Sequence, residues 1–381
     1  MERVEIVRND LTVGKPVSWD VYDRSDRLLL KKGMTVHSLR QIMQLLDMGA
    51  CHLIEVDPET VFDQEMLDVL SPFDRIATLA LNLENVLTLI STEHTNGHNI
   101  QQQVLDLCDE LIELCETDID ALIGAIHVDE QYRYTVIHPL HTAVLCYIVA
   151  QKTKLNIDKT VCLMAAGLTC NVGMFDLQEI LHGQAGQLNE EQKRQILDHP
   201  KKSALLLKKA GVMNKLWLEV VLQHHEQIDG SGYPRRLQGK YFLKESRILG
   251  MADKYHAMIS SRHYRKGLTP TQALKQLFKV RGKQIDETVA LMFIKEVGIY
   301  PPGSFVRLKN GETALVTRRG EDSMKPEVKS LLSANGKMYE QPKLRNTSKS
   351  AYDIAGLCLP LSSFNRDLKL LWDYVDPSLL S

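Results

Sequence analysis

The chain carries thirteen histidines, and their grouping points to metal or phosphate chemistry. His224 and His225 stand side by side at the end of the apolar pattern WLEVVLQHHE. The run from Asp229 to Pro234, DGSGYP, follows at once. His138 sits in YTVIHPLHTAV, opening an apolar helical pattern, and His199 sits in LDHP, closing another. Asp253 lies inside the helical pattern RILGMADKYHAM. Imidazole and carboxylate together suit iron, manganese, zinc or nickel. Ligands carried on several helices that converge in a bundle core are an established way to build such a site. A lone histidine at a helix end is ordinarily a cap or a solvated residue, which suits His138 and His199 taken singly. Adjacent histidines followed by Glu226 and a loop with Gly230 and Gly232 are more specific. The glycines permit backbone angles closed to other residues, and exposed loop amides can meet a phosphate.

The elements that must position these residues are mostly helical. From 66 to 298 the pattern is helical, as in Gln101 to Leu114, where Val104, Leu105, Leu107, Cys108, Leu111, Ile112 and Leu114 make one broad apolar face. Further helical patterns run over 138–152, 159–170, 189–198, 201–210, 214–225, 244–260 and 270–280. Asn189 is an N-cap signal, and Pro270 after Thr269 suits a first helical turn. Residues 1–57 read as a small β-rich module. There, GKPVSWDVYD and RLLLKKGMTV flank the turn Arg24-Ser25-Asp26, a short helix runs from Ser38 to Asp47 with Gly49 as C-cap, and CHLIEVD returns to strand. After Tyr300-Pro301-Pro302-Gly303 the character changes again. SFVRLKNGETALVTRRG is strand, Asn-Gly turn and strand. KMYEQPKLR and AYDIAGLCL add strands, giving a β module over 301–360 and a tail, 361–381, with a helix from Leu368 to Tyr374. The expected fold class is mostly α, a helical bundle domain over 66–300 flanked by small β-containing modules.

With 381 residues, two or three domains are expected. Hydrophobic residues at 44% and charged residues at 25% fit a soluble globular chain. A net charge of −2 gives no global field to recruit nucleic acid or an acidic membrane. The N-terminus lacks the apolar core of a secretory signal. The densest apolar run, Thr142 to Ala150, is about half a membrane span. Seven cysteines without a CxxC pair fit a reducing compartment, so a cytoplasmic location is expected. Cys108 and Cys115, like Met251, Met258 and Met292, read as core residues. Trp19, Trp217 and Trp372 are too scattered for a stacking platform, which argues against a nucleic-acid partner.

HHEQIDGSGYP, the RRLQGK after it, and RILGMADKYHAMISSRHYR downstream resemble the signature of the HD-GYP family, a branch of the HD metallophosphohydrolases. The resemblance covers roughly residues 130 to 280. It implies an HD-type bundle, a bacterial signalling role, hydrolysis of cyclic di-GMP, and a two- or three-metal centre, often of iron or manganese. Carried over residue by residue, His138, His199, His224, His225 and Asp253 match metal positions. Gly230, Gly232, Tyr233 and Pro234 match the substrate-side loop. WDVYD…LLLKKG and YPPGSFVRLKNGE look like modules that accompany some members.

This chain departs from the family at its namesake segment, where it reads AAGLTCNVGM. The His-Asp pair falls on Cys170 and Asn171, and the following lysine on Met174. Tyr134 stands where three-metal members resemble one another in having glutamate. A carboxylate can bridge two cations, whereas the Asn171 amide is a neutral, weak ligand. A Cys170 thiolate favours softer metals. Met174 cannot neutralise a phosphate. Two-metal catalysis uses both ions to activate water and to stabilise the departing oxygen, so the loss of the bridge is serious.

The first functional reading is therefore a degenerate HD-GYP protein, a regulatory or ligand-binding module of cyclic di-GMP signalling with weak or no hydrolysis. The alternative is an active metal-dependent phosphodiesterase whose one- or two-metal site is completed by Cys170, Asn171 or Glu226. One divalent metal (iron, manganese, zinc or nickel), or none, goes with the first. Expected partners are a cyclic dinucleotide, a signalling protein and a second copy of the chain as a homodimer, with nucleic acid and membrane excluded. Cys170 as a nucleophile is the weaker reading beside a thiol that fills old ligand space. Two basic clusters, Arg235, Arg236 and Lys240, then Arg262, His263, Arg265 and Lys266, are solvated surface by default. Near a phosphate pocket, Arg235, Arg262 and Arg265 suit ligand binding. Arg318-Arg319 reads as a solvated turn.

Overall fold

A computed structural model describes residues 71–128, 132–261, 266–358 and 368–374, and, nearer the N-terminus, residues 2–6, 11, 15–17, 19–23, 27–36, 38, 41, 45, 48 and 50–54. The turn Arg24-Ser25-Asp26, most of the helix expected from Ser38 to Asp47, and Gly49 lie outside them. The chain forms two compact units, Met1–Val69 and Leu70–Ser381. In the first, β1 (Glu2–Glu5), β2 (Val21–Tyr22), β3 (Leu28–Leu30) and β4 (Cys51–Ile54) make an antiparallel sheet in the order β1-β4-β2-β3. Val21, Leu30, Val36 and Ala50 form its core. The expected pairing of the second and third strands is present.

The second unit opens with α1 (Pro72–Ser91), capped by Ser71 with Pro72 in its first turn. α2 (Ile100–Val128) breaks at Asp118. α3 (Tyr134–Lys152) begins one turn before His138 and is buried on all sides from Tyr134 to Ala150. A helix apolar all round belongs at the centre of a bundle, and α4 (Ile157–Thr169) and α8 (Lys244–Ile259) pack on it. Between them come a tight turn (Val172–Met174), α5 (Phe175–Gly183), α6 (Glu190–Lys209) and α7 (Lys215–Gln223). α9 (Pro270–Val280) and α10 (Glu287–Val297) close the bundle. Asn189 and Gln192 form the capping box expected at the start of α6. The stretch Ile157–Gly183 is long and apolar enough to cross a membrane, but its most apolar window is 78% buried inside the bundle, as in a core helix.

The LDHP segment does not close a helix, because α6 runs unbroken through His199 and Pro200. A proline inside a helix leaves the carbonyl four residues back without its donor. That carbonyl belongs to Ile196, and His199 Nδ1 takes it at 2.6 Å. The side chain beside the proline thus repairs the defect.

The C-terminal sheet holds β5 (Phe305–Leu308), β6 (Thr313–Arg318), β7 (Glu327–Leu332), β8 (Met338–Asn346) and β9 (Ile354–Leu357), antiparallel in the order β8-β7-β6-β5-β9. The Asn310-Gly311 hairpin joins β5 and β6. Phe305, Leu315 and Leu331 share a core with Ala121 of α2 and with Leu371 and Trp372, at the short helix α11 (Leu368–Leu371). Arg318-Arg319 is not a solvated turn. Arg318 grips Asp118 with two hydrogen bonds of 3.0 and 2.9 Å, and Arg319 donates to Asp120 and to the Glu296 carbonyl. Burial of Asp118 at the helix break supplies the acceptor that the hairpin sequence alone does not reveal.

Candidate metal centre

Three histidines meet at one point. His199 projects from α6, His224 caps the C-terminus of α7, and His225 follows it. One nitrogen from each of the three lies within 4.8 Å of the others. His224 Nδ1 bonds the Val221 carbonyl at 2.6 Å, as His199 Nδ1 bonds Ile196. A neutral imidazole that donates from Nδ1 keeps a lone pair on Nε2. The two Nε2 atoms then face each other at 3.1 Å, two acceptors with nothing between them to donate. A cation is the group that this donor set fits. Helix-backbone bonds that fix ring orientation are the usual outer support of a ligating histidine.

Electrostatics agree with neutral rings. Burial, then the neighbouring His224, brings His199 down to about 3. Burial also lowers His224, and burial followed by His224 and His199 lowers His225. A metal meets little competition from protons on such rings.

Asp253 and His138 lie on the other wall of the same cavity, which measures about 200 Å³. His138 Nε2 and Asp253 Oδ1 are 2.9 Å apart. Burial acts to raise the Asp253 carboxyl, but the hydrogen bond from His138, with the imidazoles of His138, His225 and His224 close by, holds it well below the usual carboxylate range. Asn171 also lines the cavity and donates from Nδ2 to Asp253 Oδ1 at 3.3 Å. Its Oδ1 is buried without a partner. Met174 forms another stretch of the wall, and none of the residues described there is a lysine or arginine.

Cys170 does not face the cavity. Its thiol is fully buried, contacts the Gly167 carbonyl, and is pushed far up by burial, then by Asp253, so it is no poised nucleophile. Ser203 links the segment to α6, donating to the Cys170 carbonyl at 2.6 Å and accepting from the Gly173 amide at 2.8 Å. Tyr134 lies between two imidazoles, with ring centroids 4.9 Å from His138 and 4.8 Å from His182.

The loop after His225 is built from the inside. Both Glu226 oxygens accept loop amides, Arg235 N at 2.6 Å and Leu237 N at 2.9 Å. Glu226, weighed above as an added ligand, is therefore committed to holding the loop. Gly232 passes so close that a Cβ would stand 2.4 Å from Gln227 N. Gly230 has φ +76°, and Pro234 is partly buried. Tyr233 stacks on His225, centroids 4.7 Å apart. Arg235 pairs with Glu219 rather than reaching the cavity. Gly250 of α8 meets the His224 carbonyl, where a Cβ would stand 2.3 Å away, so that helix can approach the ligand wall. Arg262 and Arg265 lie outside the described residues.

His141 and His256 are functional candidates that the motifs do not single out. His256 bonds both His138 and His141. The signal was present in the spacing: His138 and His141, like Asp253 and His256, are three apart on one helix and share a face.

A bundle that brings histidines from several helices and an aspartate from another to one small cavity has the construction of an HD-type domain. Residues 125–289 match the HD domain family. A cyclic di-GMP phosphodiesterase of Pseudomonas aeruginosa is 29% identical over 61% of this chain and 56% of its own length. A 3'3'-cGAMP-specific phosphodiesterase of Vibrio cholerae is 30% identical over 53% of this chain and 47% of its own. The chain thus spans about half the length of these curated relatives. Among solved structures, an HDG"Y"P protein of Bdellovibrio bacteriovorus shares the fold with a TM-score of 0.51, at 15% identity, over 77% of this chain and 99% of that one.

Proposed function

We propose that this chain is a cyclic-dinucleotide-binding HD-GYP-type module that holds one divalent cation on His199, His224 and His225, with hydrolysis weak or absent. The carrying observation is the donor set. Among the described residues one group of three clustered ligands forms, while the position for a bridging carboxylate holds the neutral Asn171, bonded to Asp253. Cys170 points its thiol at its own helix. Met174 supplies no charge toward a phosphoryl oxygen.

A bound cation would polarise a phosphoryl oxygen as a Lewis acid. The chain's own residues orient the ligand. The 230–237 loop, held by Glu226, carries Tyr233 over His225. A cavity of about 200 Å³ is below the roughly 300–1,000 Å³ of a typical small-molecule site. It accommodates a phosphate end, while the bases of a cyclic dinucleotide rest on the outer loop. The relatives' named substrates, cyclic di-GMP and cGAMP, set the class to try.

The test combines metal analysis, calorimetry and turnover with cyclic di-GMP on one oxygen-free preparation. About one metal per chain, measurable binding and turnover at least ~100-fold below an intact relative are expected, since one ion and the bridge are missing. Two metals per chain with turnover comparable to an intact relative would establish the active-enzyme alternative instead. Restoring Cys170→His and Asn171→Asp together should then raise turnover.

A further inference from the structure

Behind the cavity lies a row of imidazoles that the His199 cluster does not use. Asp253 Oδ1 is 2.9 Å from His138 Nε2, His138 Nδ1 is 2.8 Å from His256 Nδ1, and His256 Nε2 is 3.0 Å from His141 Nδ1. All four residues are 7% exposed or less. At the far end His141 Nε2 is buried with no partner. Ser260 Oγ stands 3.2 Å from His256 Nδ1 as a lateral contact.

A neutral imidazole donates from one nitrogen and accepts at the other. Each tautomer therefore sets the next. When Asp253 accepts from His138 Nε2–H, His138 accepts at Nδ1 from His256, and His256 accepts at Nε2 from His141. In that direction His138 has no lone pair left for a cation. In the opposite direction His138 donates Nδ1–H to His256, and His256 donates Nε2–H to His141. His138 Nε2 is then bare and turned to the cavity. Each ring carries one proton in both arrangements, so its charge is constant. In the change, one proton leaves His138 Nε2 through the cavity and one is taken from water at His141 Nε2 during local opening.

We propose that His256 and His141 are positioning residues that decide whether His138, with Asp253, can take a cation beside the one on the histidine cluster. This rests on the reading of the cavity as a metal site. A ligating histidine ordinarily donates its second N–H to a carboxylate, carbonyl or water. A carboxylate or carbonyl can only accept, and so locks the ligating tautomer. His256 can donate as readily as accept, and the pull of Asp253 favours the direction that withholds His138. The row makes His138 a reluctant ligand and keeps the second position weak.

The experiment uses the full chain with ¹⁵N-labelled histidine at about pH 8, above the ordinary imidazole range. Long-range ¹⁵N–¹H spectra report which nitrogen of each ring is protonated, and chelator competition reports Zn²⁺ affinity. Metal-free protein should show His138 protonated at Nε2 and His256 at Nδ1. His256→Asp should move the His138 proton to Nδ1 and tighten a second Zn²⁺ by about 10–100-fold, the range for outer-shell partners. His141→Leu should leave His256 protonated at Nδ1 after Zn²⁺ addition and weaken the second ion further, which keeps the proposal testable if His256→Asp does not fold. A His138 ring protonated at both nitrogens in metal-free protein, or second-ion affinity within about twofold of the parent in every folded variant, would overturn it. If the parent binds no Zn²⁺, the metal reading fails, while the metal-free spectra still decide the direction of the row.

Discussion

Replacing Asn171 by Asp tests the electrostatic logic of the cavity directly. The substitution is nearly isosteric and puts an anionic oxygen where the amide nitrogen lies 3.3 Å from Asp253 Oδ1. Two unit charges at that separation repel by about 5 kcal/mol at an effective dielectric of about 20. The pair can escape by sharing a proton, and protonating a carboxyl of ordinary pKa near 3.9 at pH 7 costs about 4 kcal/mol. The smaller figure sets the penalty, so metal-free Asn171→Asp should be less stable than the parent by up to about 4 kcal/mol. For a unit the size of Leu70–Ser381 that corresponds to a melting shift of up to about 6 °C. One carboxyl of the pair has its folded pKa raised above the unfolded value. The penalty is therefore absent below about pH 4 and grows as pH rises toward the folded pKa. A divalent cation between the two oxygens cancels the repulsion, so Mn²⁺ or Zn²⁺ should restore most of the loss and stabilise the variant more than the parent. Thermal melts in chelator and in metal, at about pH 5 and pH 8, read all of this. A variant as stable as the parent in chelator at pH 8, with no larger metal shift, would refute the placement of Asn171 against Asp253.

Other expectations follow from the same geometry. Because burial brings His199 to about 3 and lowers His224 and His225, the fall of Zn²⁺ affinity with acid should begin at a lower pH than for ordinary imidazoles. Ordinary imidazoles titrating near 6.5 would instead lose affinity steeply below that value, and chelator competition across pH separates the two. Glu226→Gln should turn an amide NH₂ against a loop N–H and cost about 1–3 kcal/mol. Hydrogen exchange at Arg235 and Leu237 should quicken, with metal binding at His199 and His224 kept. Asp118→Ala removes the cap on Ala121 N and the partner of Arg318 and Tyr374. It should lower stability by about 2 kcal/mol and raise exchange in β6, read by melting and hydrogen exchange.

Much of this protein was legible in the chain itself. Apolar spacing of 3.6 residues specified the helices, and Asn310-Gly311 specified its hairpin, because periodicity and turn chemistry are local properties. His138, His199, His224, His225 and Asp253 stood out by type and by their motifs, and the resemblance put Cys170 and Asn171 where the family has its His-Asp pair. Tertiary structure decided what each of them touches. No local signal tells that Glu226 spends both oxygens on loop amides, that the Cys170 thiol turns inward, or that Arg318 reaches an aspartate two hundred residues away. Pro200 suggested a helix end, yet packing carried α6 through it and His199 satisfied the freed carbonyl. The row from Asp253 to His141 was written as two pairs three residues apart, but only the packing of α3 on α8 joins them. Contacts between distant segments depend on how faces meet, and a sequence records the faces without the meeting.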